Sequence, residues 1–279
     1  MFGLFGTSVV MTASHSAHGL PLVSIIVRTV NRGSYLRDCL RSLAFQDYPN
    51  LEVVIVNDGG PSLRGLIESL PFKLRSKVVE LAHNTGRSFA GNCGLEQATG
   101  EYLGFLDDDD IFYPFHISSL MSALLERNHL VVYSDAYRAE QIRAPFDDTQ
   151  YITTRHSVVY SRDFDFTKLL QGNYIPILCA LFSRECLAYG ARFDPLLEVL
   201  EDWDFWLQLA PRFQFHHLHE ITSEYRVRKD GTNTQGTHEE LWKWSRDYIR
   251  KKHGGIRRAI SPTGFPNRTR QKYSDEVRA

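Results

Sequence analysis

The chain has 279 residues, of which 43% are hydrophobic and 23% are charged, and its formal net charge is −1. This is the composition of a globular protein with a substantial core, and the charge balance excludes a strongly basic nucleic-acid-binding domain. No stretch approaches the roughly 20 apolar residues that a membrane-spanning helix requires, so we expect a soluble, cytoplasmic protein.

The cysteines and the chain ends limit the class further. The four cysteines lack a Cys-x-x-Cys pair, which argues against a disulfide framework or a zinc cluster; they are Cys39, Cys93, Cys179 and Cys186. We interpret them as reduced, partly buried thiols. The first 20 residues lack the basic start and apolar core of a secretory signal. We therefore expect a flexible tail at residues 1–20, one domain at residues 21–255 and a basic tail at residues 256–279.

Strands and helices alternate through the first half of the predicted domain. Short apolar runs typical of buried strands lie at residues 22–27, 51–56, 76–82, 101–106 and 130–134. Helical patterns with apolar residues every three or four positions lie between them, at residues 35–45, 88–98 and 113–127. This alternation predicts an α/β fold with a mostly parallel, Rossmann-like central sheet flanked by helices.

The pattern is less regular after Asp135. Residues 136–172 suggest an irregular, loop-rich insert, and residues 213–227 suggest one or two strands. Residues 199–210 have helical periodicity, and a further helix is expected after Asn233. We therefore predict a single domain with two functional halves, a ligand-binding half at residues 21–135 and a second half at residues 136–255.

Polar clusters directly follow several predicted strands. They are Thr29 to Arg32, Asn57 to Gly60, Asn84 to Arg87 and Asp107 to Asp110. In open parallel sheets, ligands bind beyond the carboxyl ends of the strands. We therefore expect these four clusters to converge on one edge of the sheet.

Four consecutive carboxylates, Asp107 to Asp110, form one of these clusters and are called the acidic quartet below. On an extended backbone, Asp107 and Asp109 would share one face. Mg²⁺ and Mn²⁺ prefer carboxylate ligands and leave room for substrate phosphate. The alternative is that the acids stabilise the N-terminus of the next helix. The position after a buried strand favours metal binding.

A second acidic segment, Glu201-Asp-Trp-Asp-Phe-Trp-Leu207, has helical periodicity. Asp202 falls beside the apolar stripe of this helix, where apolar neighbours raise the pKa of a carboxyl group and improve it as a general base. Glu201 and Asp204 lie on the polar side, and we interpret them as acids that stabilise the first helical turn.

Several weaker signals remain. Asn84 to Arg87 offers backbone amides and a guanidinium to an anion, although a glycine turn before a helix is common. Asp58 is either a ligand for a base or ribose or a simple turn residue. His217 and His219 would point to the same side of a strand, but the sequence indicates no third metal ligand for them, so we interpret them as surface or packed histidines. The basic residues from Arg250 onward suggest a solvated segment, with weak contact to the inner face of an anionic membrane as the alternative.

Five segments together resemble the family 2 glycosyltransferases of the GT-A fold. They are Val23 to Arg32, Val54 to Gly60, Asn84-x-Gly-x-x-x-Ala-x-Asn-x-Gly94, Phe105 to Asp110 and Glu201 to Leu207. They occur in the order expected for the family, between about residues 22 and 230. The resemblance implies a metal-dependent hexosyltransferase that inverts configuration while moving a sugar from a nucleotide diphosphate to a hydroxyl group of a glycan or glycolipid.

The resemblance also implies roles for particular residues. Asp202 would be the catalytic base, and Asp107 and Asp109 would bind Mn²⁺ or Mg²⁺. Asp58 would hydrogen-bond the base, expected to be uracil. The nucleotide-sugar site as a whole would comprise Thr29, Asn31, Arg32, Asp58, Asn84, Gly86, Arg87, Asn92, Asp107 and Asp108.

The sequence departs from the family pattern at three places. Arg28 stands where the family often has proline, Gly91 replaces a basic residue, and the segment Glu224 to Lys229 lacks a metal-binding histidine. One alternative is a non-catalytic module that binds a nucleotide sugar. Another is a sugar-1-phosphate nucleotidyltransferase, but Arg28 to Ser34 contains one glycine and not a glycine-rich loop.

Overall fold

A computed structural model describes residues 19–30, 32–228 and 239–255, with the side chains of residues 147–149 excepted. Asn31, residues 1–18 of the tail predicted at 1–20 and the predicted basic tail at residues 256–279 lie outside the described residues. The strands are β1 (Val23–Thr29), β2 (Leu51–Asn57), β3 (Ser76–Glu80), β4 (Tyr102–Asp107), β5 (Ile111–Phe112), β6 (Val131–Ala144), β7 (Asp147–Val158), β8 (Ala180–Ser183) and β9 (Phe215–Arg228). The helices are α1 (Gly33–Ala44), α2 (Arg64–Glu68), α3 (Arg87–Gln97), α4 (His116–Glu126), α5 (Phe166–Leu169), α6 (Glu201–Leu209) and α7 (Glu239–Lys252).

These strands form one twisted sheet in the order β3-β2-β1-β4-β8-β6-β9-β5, with β7 paired to β6. The first four strands of this order are parallel, and β6 and β9 are also parallel. The shorter β5 and β8, together with β7, add antiparallel pairs. The predicted α/β fold with a mostly parallel sheet is confirmed.

The apolar runs explain the first half of the sheet. Every residue of β1 is buried, as expected for a strand covered by helices on both faces. α1 buries Leu36, Cys39, Leu40 and Leu43, which recur at the spacing of one helical face. Because β1, β2 and β4 run in the same direction, their carboxyl ends meet at one edge, as predicted.

The predicted irregular insert at residues 136–172 is wrong over its first half. β6 continues to Ala144 and pairs with β7 in a long antiparallel hairpin. The outer parts of both strands are rich in polar residues, so they lack the buried apolar run on which the sequence interpretation depended. The hairpin is instead held by backbone pairing, and β9 supports β6 as far as Gln141.

Aromatic residues fill the core between the sheet and α6. Trp203, Phe205 and Trp206 of α6 are at most 1% exposed, and the Phe205 ring lies against Phe105 and Phe182 of the sheet. The indole N–H groups of Trp203 and Trp206 donate to the carbonyl oxygens of Leu169 and Ile175. This packing fixes the position of the helix that carries Asp202. In the described part of the chain, no helix is both long and apolar enough to cross a bilayer.

A cleft lined by the predicted polar clusters

The polar clusters surround a cleft of about 840 Å³ at the carboxyl edge of the parallel strands. That volume lies in the range of small-molecule binding sites. Four groups of residues line it: Arg28 to Val30 with Arg32, Asp58 with Asn84 to Ser88, the acidic quartet, and Glu198 to Trp203. Residues from the second half of the chain also line it, among them Tyr160, Asn173, Trp242 and Arg246. The predicted convergence on one edge is confirmed for all four clusters.

Asp58 holds the loop that precedes α3. Its Oδ1 accepts the backbone N–H and the hydroxyl of Thr85 at 2.7 and 2.8 Å, and its Oδ2 accepts the N–H of Gly86 at 2.9 Å. Gly59 has φ +76°, and a Cβ there would lie 2.2 Å from the backbone nitrogen of Asn84. The glycine therefore allows the loop to approach. A carboxylate offers about four acceptor positions, so one remains for a ligand.

The acidic quartet turns where an extended backbone was predicted. β4 ends at Asp107, and the N–H of Asp110 donates to the carbonyl oxygen of Asp107 at 3.1 Å, which closes a turn through Asp108 and Asp109. The predicted alternation of side chains is wrong because it holds only for extended backbone.

Arginines from three segments contact the quartet. Arg28 donates from Nε and Nη2 to Oδ1 of Asp107 at 3.1 and 2.6 Å. Arg32 donates from Nη1 to Oδ2 of Asp109 at 3.0 Å, and Arg228 at the end of β9 donates to the same oxygen. The cleft therefore places cationic groups directly beside its carboxylates.

The members of the quartet differ in their affinity for a proton. Burial and the charge of Asp109 raise the pKa of Asp108 to about 7. Burial, followed by the charges of Asp109 and Asp107, raises the pKa of Asp110 well above its usual value. Burial also disfavours the ionised form of Asp107, but nearby arginines, Arg28 foremost, outweigh it and lower the pKa of Asp107. Asp107 is therefore ionised at neutral pH, whereas Asp110 holds a proton more tightly than an ordinary aspartate.

Arg28 also joins the quartet to α6. Its Nη1 donates to Oε1 of Glu201 at 3.0 Å, and the two side chains are 5% and 4% exposed. The guanidinium lies 5.6 Å from the centroid of the Phe193 ring. Removing one partner of a buried ion pair leaves the other charge buried and uncompensated. This ion pair therefore contributes to the stability of the fold as well as to the charge of the cleft.

Replacing Arg28 with Met should lower the free energy of unfolding by about 3–5 kcal/mol because Glu201 would lose its closest cation. Urea denaturation at neutral pH, followed by tryptophan fluorescence, measures the change. The matched control is Arg64→Gln, which breaks a pair whose side chains are 84% and 70% exposed, and it should cost less than about 1 kcal/mol. Equal losses in the two variants would contradict the structural role of Arg28.

Asp202 lies in the first turn of α6 and lines the cleft. Its Oδ2 accepts the side-chain amide of Asn173 at 2.7 Å, and its Oδ1 accepts the N–H of Trp203 at 2.8 Å. Burial raises the pKa of Asp202 to about 7, and the negative charge of Glu201 adds to the effect. The predicted direction of the shift is confirmed. A carboxyl group that titrates near neutral pH can both accept and release a proton there.

The neighbouring acids of α6 are buried in ion pairs. Glu201 contacts Arg28, as described above, and Asp204 is fully buried. Asp204 accepts hydrogen bonds from Lys252 and His253 near the end of α7, at 2.9 and 2.8 Å. Both acids lie in the first turn of α6, as predicted, but their main contacts are ion pairs with distant segments of the chain.

Asp107 and Asp109 keep ligand capacity for a divalent cation. The arginine contacts fall on Oδ1 of Asp107 and Oδ2 of Asp109, so among the described residues no arginine hydrogen bond occupies the second oxygen of either carboxylate. Mg²⁺ and Mn²⁺ are commonly held by one or two carboxylates together with substrate phosphates. The donor set fits such an ion. No histidine lines the cleft in the parts of the chain described above.

The cleft brings together all but two of the predicted ligand residues. Asn92 does not line it, because its amide donates to and accepts from the backbone of Phe193, both at 2.9 Å. Asn92 is therefore not a residue of the cleft, and it links α3 to the segment before α6. Asn31 lies outside the described residues.

Three residues near the site were missed in the sequence. Arg226 and Arg228 alternate along β9 and both reach the quartet, the first through its backbone N–H to Asp110. The contact of Arg226 is made by its backbone, which no side-chain pattern indicates, whereas Arg228 is a basic residue just after a predicted strand and could have been considered. Asn173 could not be recognised from the sequence, because its contact with Asp202 spans 29 positions.

The fold and the cleft define an α/β enzyme whose site lies at the carboxyl edge of a parallel sheet. The sequence profile described as "Glycosyl transferase family 2" matches residues 24–189, and the chain belongs to this family. An uncharacterized glycosyltransferase of Haemophilus influenzae is 28% identical over 242 residues, which cover 85% of this chain and 92% of the relative. A putative teichuronic acid biosynthesis glycosyltransferase of Bacillus subtilis, TuaG, is 28% identical over 74% of this chain and 79% of its own.

Solved structures share the fold at lower identity. S. aureus TarS (residues 1–349), in complex with UDP-GlcNAc, superposes with a TM-score of 0.63 at 19% identity, over 87% of this chain and 74% of that chain. The mannosyltransferase PcManGT of Pyrobaculum calidifontis, in complex with GDP-Man and Mn²⁺, has a TM-score of 0.58 at 20% identity, over 88% of this chain and 66% of that chain. Both show the GT-A architecture predicted here.

Proposed function

We propose that this glycosyltransferase moves a sugar from a nucleotide diphosphate, preferably UDP, to a hydroxyl group of a cell-surface glycan or glycolipid, with inversion at the anomeric carbon. The observation that carries the proposal is Asp202, a carboxyl group with a pKa of about 7 that lines the same cleft as the acidic quartet. The similarity to TuaG and to the UDP-GlcNAc complex of TarS supports the class of donor and acceptor.

The donor occupies the half of the cleft formed by residues 21–135 in this proposal. Asp58 uses its remaining acceptor position for the N–H of the base, and Arg87, which lines the same half of the cleft, contacts the phosphates. Thr29 and Arg32 position Asp108 and Asp109, to which they donate hydrogen bonds at 2.6 and 3.0 Å.

The transfer is a single displacement. The acceptor hydroxyl gives its proton to Asp202, and its oxygen forms the new bond to the anomeric carbon. The bond between that carbon and the diphosphate oxygen breaks, and the electron pair leaves with the diphosphate. Arg28, Arg32 and Arg87 supply positive charge beside the leaving group. When bound to Asp107 and Asp109, a divalent cation supplies further neutralisation of the diphosphate.

The acceptor enters from the half formed by residues 136–255. Tyr160 and Trp242 bring aromatic side chains to the wall of the cleft, and Arg246 adds a cation. Aromatic faces suit the apolar side of a sugar ring, and a guanidinium suits an acidic sugar or a lipid phosphate. This composition agrees with a glycan or glycolipid acceptor.

Donor recognition is tested by thermal unfolding of the full chain with UDP, GDP and ADP, each with Mn²⁺. A ligand at 100 times its dissociation constant stabilises the folded state by about 2.7 kcal/mol, which is a rise in Tm of about 5–10 °C for a chain of this size. We expect UDP to give the largest rise. If GDP gives the larger rise, the proposed base is wrong, and if none of the three raises Tm, the proposed donor class is wrong.

A further inference from the structure

A second cluster of metal-type ligands lies near the start of β9. Oδ1 of Asp163 is 3.1 Å from Nδ1 of His217 and 2.9 Å from Nε2 of His219. One ligand atom from each of the three residues lies within 4.8 Å of the ligand atoms of the other two. None of these three residues lines the cleft described above.

The fold supplies the ligand that the sequence did not indicate. His217 and His219 are two positions apart on β9, so their side chains share one face of the strand. Asp163 belongs to the connection between β7 and α5, which reaches this face from a different part of the chain. The structure places His217 in a packed environment and His219 at the surface, as interpreted from the sequence, and it adds Asp163 as a third candidate ligand.

His217 faces a carboxylate at each of its ring nitrogens. Its Nε2 lies 2.8 Å from Oδ1 of the buried Asp135, and its Nδ1 lies 3.1 Å from Oδ1 of Asp163. A neutral imidazole carries one N–H, so one of these two contacts would set a lone pair against a carboxylate oxygen. A cation between Nδ1 and Asp163, either a proton or a metal ion, removes that repulsion.

The surroundings of His217 match an imidazole ligand with a carboxylate behind it. Asp135 accepts a hydrogen bond from Ser161, and the ring of His217 stacks on Tyr133 with centroids 4.8 Å apart and planes 8° apart. An outer carboxylate of this kind fixes the tautomer so that the opposite nitrogen presents its lone pair to a metal.

We propose that Asp163, His217 and His219 bind a Zn²⁺-type transition-metal ion through Oδ1, Nδ1 and Nε2, with Asp135 positioning His217. Tetrahedral ligands at about 2.0–2.1 Å from zinc lie about 3.3 Å from one another, so the two contacts of Asp163, at 3.1 and 2.9 Å, need to lengthen by only a few tenths of an ångström. His219 and Asp163 are 66% and 80% exposed, which allows that adjustment and leaves solvent access for water as a fourth ligand. Two imidazoles favour zinc over Mg²⁺ or Ca²⁺.

The ion would be structural and separate from transfer. His217 pairs with Tyr133, and Arg226 pairs with Ala139, six residues further along β6, so the two sites lie about 20 Å apart along the sheet, towards opposite ends of β9. The ion would fasten the connection at residues 159–165 to the sheet, and this connection leads through α5 to Asn173, which contacts Asp202.

The test uses the full chain after dialysis against a chelator, at about pH 8, where an ordinary histidine is neutral. Zinc is titrated in competition with a chromophoric chelator, and Co²⁺ is added separately to observe its visible absorption bands. We expect one equivalent of zinc, a tetrahedral Co²⁺ spectrum and a zinc-dependent rise in Tm. His219→Ala and Asp163→Asn, both at exposed positions, should weaken zinc binding by about 100-fold or more, and Asp135→Asn by about 10–100-fold.

His216→Ala is the matched control, because His216 lies on the opposite face of β9 and stacks on His129 with centroids 4.4 Å apart. It should bind zinc like the wild type. Asp109→Asn should also still bind one equivalent of zinc, which would show that the zinc is not bound by the acidic quartet. Zinc binding that is unchanged in His219→Ala, or the absence of zinc binding in the wild type, would overturn the proposal and leave a proton as the cation between His217 and Asp163.

Discussion

Asp202→Asn should lower kcat by about 10²–10⁴, the range that a general base contributes, while the Kd for UDP stays within about twofold. The physical reason is that an amide cannot take the proton of the acceptor hydroxyl, whereas the donor contacts assigned to Asp58, Asn84 to Arg87 and the quartet are untouched. Release of nucleotide diphosphate in the presence of acceptor measures the first quantity, and calorimetric titration with UDP measures the second.

The pH dependence gives a second readout of the same residue. Because the pKa of Asp202 is raised to about 7, the wild-type kcat/KM should fall about tenfold for each pH unit below that value, as the base becomes protonated. Above it, the rate should level off. The residual activity of Asp202→Asn should not show this fall in kcat/KM below pH 7.

Stability distinguishes a lost base from a lost fold. A carboxyl group whose pKa is higher in the folded than in the unfolded state costs stability as the pH rises from about 4 to 7, because the folded state binds the extra proton over that window. Asparagine removes this cost but loses one of the two hydrogen bonds accepted by Asp202. We therefore expect the Tm of the variant at about pH 8 to stay within about 3 °C of the wild type.

Glu198→Gln is the control for Asp202→Asn. Glu198 is an exposed carboxylate in the same cleft, and its replacement should change kcat by less than about twofold. If Asp202→Asn retains wild-type turnover, or if Glu198→Gln loses as much, another residue is the base.

Removal of divalent cations should lower kcat/KM by at least about 100-fold, since a metal ion contributes several kcal/mol to the stabilisation of developing charge. The measurement is turnover after dialysis against a chelator, followed by addition of Mn²⁺ or Mg²⁺ alone. Asp109→Asn should raise the Mn²⁺ concentration for half-maximal rate by about tenfold or more, because it removes one of the two proposed protein ligands.

Asp38→Asn is the control for Asp109→Asn. Asp38 is 61% exposed and pairs with Arg226 of β9 at 3.4 Å, and it does not line the cleft. Its replacement should leave the Mn²⁺ requirement unchanged. Full activity of the wild-type chain in excess chelator would contradict the proposed metal site. The arginines beside Asp107 and Asp109 would then neutralise the charge of the leaving diphosphate without a metal ion.

The location of the candidate site could be predicted from sequence because its segments are local. Each polar cluster follows its own apolar run, so the parallel sheet brings the clusters to one edge without any knowledge of distant contacts. The direction of the pKa shift of Asp202 could be predicted because the sequence pattern places this carboxyl group beside the apolar stripe of its own helix, and burial is the main cause of the shift.

Other features depended on residues far apart in the chain. Arg28 and Glu201 are 173 positions apart, yet they form the buried bridge between the quartet and α6. Asn92 fits a ligand motif by spacing, but its amide bonds the backbone of Phe193, 101 positions away. A sequence pattern reports periodicity within a segment and does not identify the partner that a polar side chain meets.

The sequence by itself determined the α/β class, the family and the chemical character of the cleft. Runs of buried residues and the order of motifs are properties of short segments, which keep their meaning wherever the segments are placed. Tertiary structure alone decided that the acidic quartet turns, that β6 and β7 form a hairpin and that Asp163 joins His217 and His219. The physical reason is that a buried polar group must find a partner in space, and folding sets which partner is within reach.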